Sequence, residues 1–77
     1  MTPSDLAHVN KAAAFFGWSS AGCEWLKIAA TSSEVPPRIH AIARAALQRA
    51  ASDGSTWAGL TLEALAEADA VPERVER

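Results

Sequence analysis

The chain has 77 residues, of which 49% are hydrophobic and 21% charged, with a formal net charge of −2. These values describe one small globular domain near the lower size limit rather than a disordered chain. One cysteine excludes an internal disulfide, MTPSDLAHVNK lacks the basic-then-apolar pattern of a signal peptide, and no apolar run approaches the ~20 residues of a membrane span. A soluble protein of a reducing, cytoplasmic compartment, with no membrane contact, is expected.

Charge is unevenly distributed along the chain. Up to Ala50 five cations (Lys11, Lys27, Arg38, Arg44, Arg49) face three acids (Asp5, Glu24, Glu34), whereas beyond it Arg74 and Arg77 face six. A mildly basic body with an acidic C-terminal part is compatible with nucleic-acid contact, although a strong basic footprint is missing.

Thr2-Pro3-Ser4-Asp5 opens the first helix: Thr2 caps, Pro3 suits the first helical position and Asp5 completes a capping box. Leu6, Val9, Ala13 and Phe16 then recur at three- and four-residue steps and predict one buried stripe. Gly17 ends the helix, in the left-handed conformation that glycine adopts at least cost. Ser19 or Ser20 caps a second helix to about Ala30, with Cys23, Leu26 and Ala30 inward and Ile28 near the edge.

ATSSEVPP reads as a loop, because two prolines fit only at the start of a helix. A third helix over about Pro37 to Ala51 presents Ile39, Ile42, Ala43, Ala46, Leu47 and Ala50, with Arg38 and Arg49 on one flank and His40 and Arg44 on the other. SDGST breaks the chain again. Thr61 caps a short fourth helix, LEALAEAD, which Val71-Pro72 ends. The expectation is an all-α, compact bundle of about four short helices, forming one domain over residues 1–70 with a flexible acidic tail over 71–77. Its core would draw on Leu6, Phe15, Phe16, Trp18, Trp25, Leu26, Ile28, Ile39, Ile42, Leu47, Trp57, Leu60, Leu62 and Leu65. That core only modestly exceeds the ordering entropy, so dimerisation would be a natural supplement.

Residues Val9 to Ile28 meet the packing requirements of a helix-turn-helix corner. Ala13 is the small crossing residue, Gly17 the turn and Trp18 the apolar plug after it. Cys23 and Leu26 anchor the second helix, while Ala12 and Phe16 take the remaining inward positions.

The stretch AAAFFGWSSAGCEWL, followed by VPPRIHAIARAAL and LTLEAL, resembles the small Cro-like, YdaS-type phage repressors and antitoxins over roughly residues 9 to 65. Two features depart from that family. Only about eight residues precede the corner, where the family usually has an extra helix. The family tends to place tryptophan three residues after the anchor that Cys23 represents; here Leu26 holds that slot and Trp25 falls one earlier. An offset of one residue turns a side chain by about 100°, which directs Trp25 at least partly outward. The resemblance implies that the second helix lies in a major groove, with Ser20, Ala21, Glu24 and Trp25 nearest the bases and Ser19 at a phosphate. Lys11, Lys27 and Arg38 would supply backbone contacts, a thin cationic set that calls for a dimer on a two-half operator of double-stranded DNA.

Other chemistry is not indicated. Cys23 sits on the inward stripe without a neighbouring histidine, His8 and His40 make no metal set with it, and no nucleophile constellation or phosphate loop occurs. The leading expectation is therefore a non-enzymatic, cofactor-free DNA-binding regulator acting as a homodimer. The competing expectation is a protein-interaction module without DNA affinity, such as a small phage-encoded inhibitor or adaptor, contacting its partner through Trp25 or the acidic tail.

Overall fold

Four helices account for nearly all of the computed structural model, which describes the backbone of residues 2–75 and the side chains of residues 2–68. They are α1 (Pro3–Phe16), α2 (Ser20–Thr31), α3 (Pro37–Ser52) and α4 (Thr56–Val75). No strand occurs among the described residues, so the fold is all-α. Helix α3 is central and packs against each of the other three.

Local signals start the helices. The Thr2 hydroxyl accepts from the Asp5 amide at 3.1 Å and Asp5 Oδ2 accepts from the Thr2 amide at 3.3 Å, which closes the capping box of α1. Ser19 Oγ accepts from the Gly22 amide at 3.0 Å and caps α2. Extended Pro36 leads into Pro37 at the first turn of α3, where a missing amide costs no helical hydrogen bond. Before it, the ring of His40 reaches back from α3, its Nε2–H donating to the Ser32 carbonyl at 2.5 Å.

Helix α4 starts five residues earlier than Thr61. Ser55 is its cap, accepting from the Ala58 amide at 3.2 Å, while Thr61 lies inside the helix and donates to the Trp57 carbonyl at 2.8 Å. Gly54, at φ +111°, supplies the left-handed link that frees Ser55 for this role. The helix also runs through Val71-Pro72 to Val75; a proline forfeits one helical hydrogen bond but does not forbid the next turn. Glu76 and Arg77 of the expected tail lie outside the described residues.

The core is built from small residues. Among the described residues, Ala13, Ala30, Ala43, Ala46, Ala50 and Ala58 are half of the buried apolar ones, joined by Val9, Cys23, Leu26, Ile42, Leu47 and Leu65. Alanine faces let helices approach closely, leaving no room for rings between them. Leu6, Phe15, Phe16, Trp18, Trp25, Ile28, Ile39, Trp57 and Leu60, all expected to contribute to the core, are exposed instead. The buried stripe of α1 is Asp5, Val9 and Ala13, rotated away from Leu6 and Phe16. The rotation brings Asp5 to Arg38 at 2.5 Å and so ties the start of α1 to the start of α3.

Gly17 is the junction of the fold, and its backbone is right-handed (φ −74°, ψ −5°) rather than left-handed. Its requirement is spatial, since a Cβ there would lie 2.4 Å from Ala50 Cβ and 2.7 Å from the Ala13 carbonyl oxygen. The Gly17 carbonyl also accepts from the Ser55 hydroxyl and, at 3.4 Å, from the Cys23 thiol. One peptide therefore joins the end of α1 to α2, α3 and the start of α4. Gly22 completes the junction: a Cβ there would fall 2.1 Å from the Phe16 carbonyl oxygen, so α2 lies flush on the last turn of α1.

Candidate functional site

The connection between α1 and α2 is three residues long, Gly17-Trp18-Ser19. Of the positions expected to pack this corner, Ala13, Gly17, Cys23 and Leu26 are buried and Ala12 is half-buried. Phe16 and Trp18 are not: Trp18 is 51% exposed and so plugs nothing. Close glycine contacts and the shared Gly17 carbonyl hold the corner in place of an apolar plug.

With Cys23, Leu26 and Ala30 inward, the 100° step of an α-helix directs Ala21, Glu24 and Ile28 away from the bundle. Trp25 then falls on one flank of this outward strip, and Ser20 and Lys27 on the other. Ser19, Ser20, Ala21, Glu24 and Trp25 are all exposed, while Lys27 is half-buried. Ser19 is committed to the α2 cap, yet its exposure leaves the helix N-terminus open.

A second element flanks this strip, which sequence reasoning missed. A groove of about 220 Å³ runs between α2 and α4, with Ser20, Glu24 and Lys27 on one wall. Trp57, Leu60, Thr61 and Ala64 form the other wall. The spacing of Trp57, Leu60 and Ala64 by three and four residues was a readable signal of a helical face. A cap at Thr61, plausible by residue type, hides this face by placing Trp57 and Leu60 outside the fourth helix.

The remaining two expected contact residues lie elsewhere. Lys11 is on the outer face of α1, where His8, Ala12, Phe15 and Phe16 form with it a groove of about 360 Å³. Arg38 is engaged with Asp5. Burial pushes the Asp5 carboxyl up, but the Thr2 amide and the Arg38 guanidinium outweigh it and hold the group below its ordinary 3.8. Arg49 pairs with Asp53 at 3.1 Å, one turn along α3. Of the three cations expected to contact a backbone, Lys27 alone stands on the α2 strip.

Cys23 is buried and its thiol is pushed up by that burial, an effect partly offset by the Thr61 hydroxyl. Such a thiol is protonated and unreactive at neutral pH. Among the described residues no group of three or more His, Cys, Asp or Glu side chains could hold a metal, and no helix is long and apolar enough to cross a membrane.

Compared with known proteins, the chain matches no family model, no curated protein and no solved structure.

Proposed function

We propose that this chain is a protein-docking module whose exposed aromatic side chains seat on a partner protein. The observation that carries this reading is that all five aromatic residues lie outside the core, from Phe16 at 43% exposure to Phe15 at 72%. A lone domain of this size gains most by burying its rings, and aromatic residues concentrate in protein interfaces. The sparse, partly paired cations favour a protein partner over a phosphate backbone.

A dimeric DNA-binding repressor is the second reading, and a specific observation supports it. The corner positions Ala13, Gly17, Cys23 and Leu26 are inward, and α2 carries a serine cap with Ser20, Ala21, Glu24 and Trp25 exposed beside it. These features agree with the resemblance to the Cro-like, YdaS-type proteins.

One pair of measurements separates the two. A docking module should capture a partner from source-cell extract through the wild-type chain but not through Phe15→Ala or Trp25→Ala, both equally folded by circular dichroism. The same chain should not bind duplex DNA from around its own gene at low salt. DNA binding with a steep salt dependence that weakens in Lys27→Ala would overturn the docking reading in favour of the repressor.

A further inference from the structure

We infer that the partner of the α2–α4 surface is a second copy of this chain, with Trp25 of each copy seated in the other's α2–α4 groove. The inference rests on the docking reading and specifies its occupant. Knob and slot are carried by the same helix. Trp25, 66% exposed, stands on one flank of the outward strip of α2, and the groove opens along the opposite flank. A twofold axis running beside α2 sets one flank of the helix against the opposite flank of its mate, as in parallel helix pairs. Both tryptophans are then seated at once, and the contact closes at two copies. Ala21 and Ile28, seven residues apart on the outward pole, form the seam, and the small Ala21 permits close approach.

Size and chemistry match the occupant. The groove, at about 220 Å³, is of the order of a tryptophan side chain and has Trp57, Leu60 and Ala64 as its apolar wall. An indole N–H leaving water requires an acceptor. The Glu24 carboxylate lines the groove, and the Thr61 oxygen, having donated its own proton to the Trp57 carbonyl, keeps lone pairs to accept. Lys27 supplies a cation for the indole face.

The area is sufficient for a specific pair. At roughly 250 Å² per fully buried aromatic side chain, complete burial of the exposed parts of Trp25 and Trp57 with those of Ile28 and Leu60 comes to at most about 500 Å² per copy. About 1,000 Å² per pair is the threshold of a specific interface, which places this contact among the small ones. The same contact covers the residues that a repressor would present to bases, so the two uses of α2 exclude one another.

Sedimentation of the full-length chain across the micromolar range tests this directly. The wild type should pass from monomer to dimer, and Trp25→Ala (knob removed) and Leu60→Glu (charge placed in the slot) should each weaken association at least tenfold. Both positions are exposed, so far-ultraviolet circular dichroism should be unchanged. Mixing the two variants leaves one intact knob and one intact slot and should restore a heterodimer of intermediate affinity. A wild type that stays monomeric at several hundred micromolar, a dimer indifferent to both substitutions, or a mixture no more associated than its components would overturn the inference. A monomeric wild type that still captures another protein through its aromatic residues would leave the docking reading standing.

Discussion

Replacing Gly17 by alanine adds one methyl group at the point where four helices converge, and the structure sets its cost. The new Cβ would lie 2.4 Å from Ala50 Cβ and 2.7 Å from the Ala13 carbonyl oxygen. Non-bonded carbons rest at roughly 3.5–4.0 Å, so the end of α1 and the last turn of α3 must part by about 1 Å. Ala50 is fully buried on the central helix and cannot yield alone. Overpacking of this kind costs about 1–3 kcal/mol. For a domain of this size that lowers Tm by roughly 5–20 °C.

Urea unfolding followed by circular dichroism measures the loss, and Ala50→Gly supplies the control. In a double-mutant cycle Gly17→Ala and Ala50→Gly should couple favourably, because the second removes the methyl that the first strikes. Recovery should be incomplete, since the Ala13 carbonyl remains in the way. The right-handed φ of −74° adds a further discrimination. If a left-handed turn were the requirement, Gly17→Asn would be milder than Gly17→Ala; on the steric account it is no milder. A Gly17→Ala protein within about 0.5 kcal/mol of the wild type, the range of indifferent surface changes, would refute the reasoning. So would a cycle without coupling.

Two further predictions concern stability. A Cβ at Gly59 meets nothing within 4 Å inside α4, so Gly59→Ala should stabilise the chain by up to about 1 kcal/mol, whereas Gly54→Ala, at φ +111°, should cost about 1–3 kcal/mol despite equal space. Equal urea midpoints for the two variants would count against the assigned backbone. Asp5 carries the pH dependence: its folded pKa lies below 3.8, so its contribution is present above 3.8 and is lost as pH falls through the folded value. The stability gap between wild type and Asp5→Asn should accordingly be largest at neutral pH and close well below 3.8; a gap that persists in acid would contradict the Arg38 pairing.

The sequence alone determined the elements whose causes are local. The Thr2-Pro3-Asp5 box and the Pro36-Pro37 start act within one helical turn and appear in the structure where their residues stand; the α2 cap, open between Ser19 and Ser20 in the sequence, falls on Ser19. Outward placement of Glu24 followed from the 100° step, whereas the sequence reads Trp25 both as a core residue and, from its offset in the resemblance, as partly outward, and the structure exposes it. The start of α4 was missed because Ser55 and Thr61 are both plausible caps by type, and only the Gly54 turn distinguishes them.

Tertiary structure decided what depends on the distance between helices. Gly17 was legible as a special position, but its reason, the Ala50 methyl thirty-three residues away, was not. The rotation of α1 depends on Asp5 meeting Arg38, and the fate of the rings on how closely the alanine faces pack. Apolar periodicity marks which side of a helix can be buried; it cannot tell whether alanines will pack so tightly that the larger residues are left outside. The α2–α4 groove arises from that same close packing, because it exists only where α4 lies beside the outward strip of α2.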